Sequence, residues 1–123
     1  MIKLTFCLMR RPEMTREAFQ KYWFETHGPL VASVKDVLRI RRYVQLHSLP
    51  EDRANGDIGK ARNAPEPYDG VAQLWWDSFE DLQANRDPER ASEAGRLLLE
   101  DEKKFIDHAR SPLWWGEEKV IIG

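Results

Sequence analysis

Two hydrophobic periods take turns along this sequence, and the order in which they do so leaves few folds open. Residues 2–9 set Ile2, Leu4, Phe6 and Leu8 against Lys3, Thr5, Cys7 and Met9, the period of two that a strand requires. Pro12, within Arg10 to Met14, ends it, and Thr15 then supplies a helix N-cap with Glu17 in the first turn, where the helix dipole favours negative charge. From there to about Lys35 the period is helical, with Phe19, Trp23, His27, Leu30 and Val34 on one stripe. Pro29 lies inside this helix without an N–H and pressing on the carbonyl of Glu25, so with Gly28 beside it a bend near His27 is expected.

Residues 38–48 alternate again, with Leu38, Ile40, Arg42, Val44 and Leu46 on one side and Arg39, Arg41, Tyr43, Gln45 and His47 on the other. Residues 49–68 carry three prolines, two glycines and many charges and read as a long loop insertion, a lid or a mobile segment. A third strand covers about 69–77, rich in β-formers. Ser78, with Asp81 three residues on, caps a short helix to about Arg86; a second helical stretch starts near Pro88 and reaches about His108, burying Leu97, Leu98, Phe105 and Ile106. Pro112 breaks the chain, and Glu118–Ile122 form the expected last strand. The order β-α-β-β-α-β is the split β-α-β pattern of a ferredoxin-like α+β sandwich. Residues 1–123 are expected to form one domain, a length able to bury a single core.

Such a sheet, with both helices on one face, leaves the other face open. None of its alternation sets is convincingly polar: Cys7 and Met9 accompany Lys3 and Thr5, and Tyr43 and Trp75 sit among glutamines. An uncovered apolar face marks an interface, which predicts a homodimer through the open sheet face; a monomer with a tolerably amphipathic sheet is the alternative.

The 19 basic residues are balanced by 21 acidic ones, and no Lys/Arg cluster exceeds Arg39–Arg42, so nucleic acid is not an expected partner. A single cysteine excludes an intrachain disulfide and suits a reducing compartment. No long apolar run suggests a signal peptide or a membrane span, and the expected address is the cytoplasm. Phosphate loops, nucleophile elbows and dinucleotide fingerprints are missing, and the three histidines are neither spaced as metal ligands nor expected to share a face with a carboxylate, so no metal is predicted.

His27 is the most informative position. On its stripe between Trp23 and Leu30 it reads either as a neutral base withdrawn from water or as a core histidine satisfied by a backbone carbonyl. Five tryptophans include the doublets Trp75-Trp76 and Trp114-Trp115; strand neighbours face opposite ways, so one ring of the first doublet turns to the helices and the other to the partner. Phe6, Trp23, Leu74 and Trp76 are the candidate lining of a pocket for a small apolar ligand, with ordinary core packing as the alternative.

The run Tyr22-Trp23-Phe24-Glu25-Thr26-His27-Gly28-Pro29-Leu30-Val31 resembles the helix motif of the EthD-like family of dimeric α+β barrels. Arg41-Arg42-Tyr43-Val44-Gln45 and Tyr68-Asp69-Gly70-Val71-Ala72-Gln73-Leu74-Trp75-Trp76-Asp77-Ser78 resemble its second and third strands. The resemblance implies a cofactor-free dimer with a pocket between sheet and helices. Related members isomerise lactones, dehydrate or cyclise polyketides, or oxidise phenolic rings. The family's helix histidine falls on His27 and a pocket tyrosine of some members on Tyr43, here expected to donate a proton to a carbonyl or phenolate oxygen. Lactone-isomerising relatives carry a third-strand cysteine where this chain has Leu74, which argues against that reaction. The expected function is a small cofactor-independent enzyme that oxidises, dehydrates or isomerises a small apolar, oxygenated substrate. A non-catalytic ligand-binding or accessory dimer is the alternative.

Overall fold

A computed structural model of the chain describes residues 1–50, 53–84 and 87–123. Strands β1 (Ile2–Leu8), β2 (Arg42–His47), β3 (Gly70–Trp76) and β4 (Leu113–Gly116) form an antiparallel sheet in the order β2-β3-β1-β4. β3 lies between β1 and β2, so the first crossover is split, which is the ferredoxin-like arrangement that the alternating periods predict. Between β1 and β2 run α1 (Arg16–Tyr22), a π-helical turn (Trp23–His27), α2 (Gly28–Ser33) and α3 (Lys35–Leu38). α4 (Arg53–Ala61) precedes β3, while α5 (Phe79–Gln83), α6 (Pro88–Glu102) and a short 3-10 helix (His108–Arg110) separate β3 from β4. The Thr15 hydroxyl accepts from Ala18 N–H and the Ser78 hydroxyl from Asp81 N–H, so both expected caps form.

Several boundaries differ from the sequence reading, each for a definable reason. The last strand is Leu113–Gly116 and not Glu118–Ile122. Pairing with β1 begins as soon as Pro112 offers its carbonyl to Cys7 N–H, at 2.9 Å, and by Gly116, opposite Lys3, β1 has almost run out. Val120, Ile121 and Ile122 are therefore left exposed. The expected loop 49–68 contains α4, whose nine residues hold no proline because Pro50, Pro65 and Pro67 lie outside it; residues 51–52 lie outside the described residues. Before β2 the chain forms α3 and turns at Arg39 in the left-handed region (φ 62°), so strand pairing starts at Arg42 and not Leu38. α6 stops at Glu102, and Phe105 and Ile106 are buried from the turn beyond it, whereas Leu97 is exposed. The short helix α5 ends at Gln83; the expected end at Arg86 lies outside the described residues.

The register sorts the side chains. Leu4, Phe6, Tyr43, Ala72, Leu74 and Trp76 face the helices, and Lys3, Thr5, Cys7, Arg42, Val44, Gln73 and Trp75 face away. Trp76 is thus the inner ring of its doublet, set edge-on to Trp115, while Trp75 lies outside, flanked by the charges of Lys3 and Arg42. At the top of β3, Asp69 is fully buried and its carboxylate accepts from Arg10 N–H, the Arg10 guanidinium and Arg16 Nε. Gln20 donates to the Asp69 carbonyl, so one residue ties the exit of β1, the start of α1 and the entry of β3 together. Among the described residues no helix is long and apolar enough to cross a membrane.

Beside Asp69, Gly70 lies directly under the indole of Trp23. A Cβ there would clash with Trp23 Cζ3 and lie 2.7 Å from Trp23 Cη2 and 2.8 Å from the Leu46 carbonyl oxygen, and neither a fully packed indole nor a strand backbone can yield that space. Gly70→Ala should therefore destabilise the fold by about 1–3 kcal/mol, the usual range for overpacking. Urea unfolding checks this as a lowered midpoint with an unchanged slope.

Candidate active site

The bend expected at Gly28-Pro29 takes the form of a π-turn. Pro29 cannot donate, and Gly28 N–H reaches back five residues to the Trp23 carbonyl, which also accepts from the Gln45 amide at 2.9 Å. The extra residue re-phases the helix. Phe19, Trp23, His27 and Val31 are buried, and Leu30 and Val34, expected on the stripe, are only half-buried. It also brings together two side chains that a regular helix would hold about 140° apart, five positions at 3.6 residues per turn. Tyr22 and His27 both point at α6 and share one carboxylate there: Tyr22 O–H donates to Asp101 Oδ1 at 2.6 Å, and His27 Nδ1 lies 2.8 Å from Asp101 Oδ2.

Asp101 orients that histidine. Burial pushes its carboxyl up, but the hydrogen bonds from Tyr22 and His27, with the charges of His27 and Lys104, outweigh burial and hold it below its ordinary value. An ionised carboxylate only accepts, so Nδ1 of His27 is a donor to it, and Nε2 is left as the nitrogen that can exchange a proton with a ligand. Nε2 has no partner among the described residues. Tyr22 is the reverse case: burial, then the bond to Asp101 and its charge, push the phenol up to about 12.

His27 borders a cavity of about 150 Å³ between sheet and helices. Phe6, Trp23, Tyr43, Leu74 and Trp76, the other five residues singled out in the sequence, border it too, so all six meet at one place. Ile40, Ala72, Leu98 and Leu113 add apolar wall, and Trp76 is held by its indole N–H on the Leu38 carbonyl at 2.7 Å.

Tyr43 enters from β2 with its hydroxyl polarised. Gln45 must donate to the Trp23 carbonyl, which fixes its amide nitrogen; the same nitrogen donates to Tyr43 Oη at 2.8 Å, and Gln45 Oε1 accepts from His47 Nε2 at 2.7 Å. His47 stacks on Trp23 with ring centres 4.5 Å apart, and burial lowers its pKa, favouring the neutral ring. Donation thus runs from His47 to Gln45 to Tyr43, and the Tyr43 proton has no acceptor among the described residues. Burial raises the Tyr43 pKa and outweighs the hydrogen bonds from Gln45 and Trp23. The result is a protonated phenol facing an apolar space.

Two residues at the site were not legible in the sequence. Asp101 and Glu102 end α6, and each pairs with a histidine, Asp101 with His27 and Glu102 with His108 at 3.1 Å. This corrects the expectation that no carboxylate partners the histidines: the partners come from elements far apart in the chain, and spacing cannot show that. One local sign did exist. Glu100, Asp101 and Glu102 place three acids at a helix C-terminus, where the dipole disfavours negative charge. A larger hollow of about 690 Å³ lies between α2–α3 and α6, bordered by Asp36, Arg90, Glu93, Arg96 and Glu100. It is an open charged surface with no buried titratable group among its walls, and the smaller cavity is the stronger candidate. Among the described residues no three His, Cys, Asp or Glu side chains come together as a metal site.

Similar proteins place this geometry in a family. The model of the EthD domain matches residues 11–109. Conidial pigment biosynthesis dehydratase EthD of Metarhizium robertsii is 27% identical over 119 residues, covering 92% of this chain and 79% of that protein. An EthD family protein of Bacillus halodurans superposes with a TM-score of 0.60 at 22% identity, over 97% of this chain and 99% of that one. A dimeric protein of unknown function and ferredoxin-like fold from Bacteroides fragilis gives a TM-score of 0.56 at 11% identity, over 95% of each chain. The matched segment runs from the exit of β1 into the 3-10 helix and includes His27, Tyr43, Asp101 and Glu102; this chain belongs to the EthD family.

Proposed function

We propose that this protein dehydrates a small, apolar carbonyl compound by acid–base chemistry without a cofactor, with His27 as base and Tyr43 as hydrogen-bond donor. The carrying observation is the buried His27 ring bordering the cavity, with Nδ1 against Asp101 and Nε2 without a partner among the described residues. In this reading Tyr43 O–H donates to the substrate carbonyl, and His27 Nε2 removes the proton from the adjacent carbon. The C–H electron pair becomes an enolate. The enolate forms the C=C bond as the β C–O bond breaks, and the departing oxygen takes the proton back from His27 and leaves as water. The base is regenerated within one cycle. The name of the Metarhizium relative, a dehydratase, supports this reaction over oxidation. Leu74 on the cavity wall offers no nucleophile for lactone isomerisation. A binding-only role is disfavoured by the polarity of the two groups, one a fixed acceptor and the other a fixed donor.

Assembly belongs to the same proposal. The open sheet face carries exposed Leu46 and Trp114 beside Val44, Val71 and Cys7, and the Bacteroides relative of like fold is dimeric. A second copy of the chain covers that face.

Four outcomes test this reading. With β-hydroxycyclohexanone as probe and enone absorbance as readout, His27→Ala and His27→Gln should lose at least about 10²-fold in kcat with circular dichroism unchanged; undiminished turnover removes His27 from the mechanism. Asp101→Asn should cost a similar or greater factor while ligand binding persists, because an amide favours the other tautomer. Tyr22 is held protonated in the fold to about 12, so its contribution to stability is present below pH 10 and lost as pH rises from 10 to about 12; melting curves of Tyr22→Phe should lack that alkaline decline. Light scattering should give the mass of two chains for the parent protein and of one for Trp114→Glu.

A further inference from the structure

The last two residues of α6 form two histidine–carboxylate pairs of opposite sense. In one, His27 faces the cavity and Asp101 stands behind it. In the other, Glu102 borders the cavity and His108 lies against its carboxylate, with Nε2 3.1 Å from Glu102 Oε1. His108 is itself set against Phe6 with ring centres 6.2 Å apart, which keeps this second pair beside the same wall. Glu102 Oε2 has no partner among the described residues. Glu102 is also close enough to Tyr43 for its charge to push the phenol up. An acceptor-only group thus stands at the edge of a space that is otherwise aromatic and aliphatic, near a phenol with a proton to give.

We infer that Glu102 is the acceptor for a hydroxyl group of the ligand, and that the site therefore selects single-ring hydroxylated carbonyl compounds. Size and polarity both lead there. A cavity of about 150 Å³ matches one six-membered ring, the scale at which an apolar protein cavity holds benzene. Tyr43 offers a donor, which suits a carbonyl oxygen. Glu102 offers a charged acceptor, which suits an O–H and repels a second carbonyl or a carboxylate. His108 acts through Glu102 by occupying one of its oxygens and leaving the other free. A site built to bind a hydroxyl discriminates against the analogue without one, because the acceptor is then left without that partner. The inference rests on the reading of Tyr43 as the carbonyl donor and adds to it a second anchoring point and a ligand class.

Hydroxyacetophenones test this without turnover, since their hydroxyl cannot leave. Binding is followed by tryptophan fluorescence, Trp23 and Trp76 being in the cavity wall. The parent protein should bind at least one hydroxyacetophenone isomer about tenfold or more tighter than the corresponding methoxyacetophenone, a ratio expected of a charge-assisted hydrogen bond. Glu102→Leu should abolish that ratio, and the size-preserving Glu102→Gln should reduce it, with binding of unsubstituted acetophenone nearly unchanged in both. A ratio that survives in Glu102→Leu, or that is missing from the parent protein while acetophenone still binds, overturns the inference and leaves the role of Tyr43 standing. Failure of acetophenone to bind the parent protein, or binding indifferent to Tyr43→Phe, overturns both readings.

Discussion

A single carboxylate holds the working end of this molecule in place. Asp101 receives Tyr22 and His27 from the first helix and is itself carried by α6, so it ties the two helices together and fixes the orientation of the ring between them. Three protein groups compensate its burial: the phenol, the imidazole N–H and the nearby Lys104 ammonium. Without all of them a carboxylate only 7% exposed would be costly. The π-turn is what makes the arrangement possible, because only a widened turn lets residues five apart reach one acceptor.

The cavity is the space left over by this geometry. Gly70 and Ala72 are the small residues on the inner face of β3, and they let Trp23 come down onto the sheet at one end. At the other end Val31, Ile40 and Trp76 form a separate cluster. The cavity is bordered from both sides, by Trp23 and Phe6 of the first cluster and by Val31 and Trp76 of the second, with Tyr43 and Leu74 packed against both. Its polar groups come from the π-turn, the last turn of α6 and the β2 edge strand, where the Gln45 amide takes the carbonyl that the π-turn exposes. The irregularity that Pro29 introduces thus places both the His27 ring and the carbonyl acceptor that orients the donor chain to Tyr43.

Much of this was legible before any coordinates. The alternation in residues 2–9, the helical stripe through Trp23 and His27, the Gly28-Pro29 disturbance and the β-rich third strand each follow from local spacing, and local spacing is what a strand or helix directly imposes on side chains. His27 and Tyr43 could be picked out for the same reason, helped by the likeness of their surrounding runs to one family. The limits of β4 are not legible locally, because Val120, Ile121 and Ile122 have strand-like composition, whereas pairing is decided by where β1 still has residues to offer. α4 was missed because the prolines flanking it dominate the composition of the whole loop.

What the chain determined by itself is therefore the order of its elements, the split β-α-β topology, the break at His27 and the family to which it belongs. All of these depend on neighbours within a few positions or on the succession of such segments. The tertiary structure alone decided which nitrogen of His27 is free, which face of the tryptophan doublet is inner, and that Asp101 and Glu102 stand at the cavity. Those facts depend on contacts between residues dozens of positions apart, as with His27 and Asp101, 74 apart. A hydrogen bond is set by the meeting of two side chains in space, and nothing in the local pattern around either one carries that information.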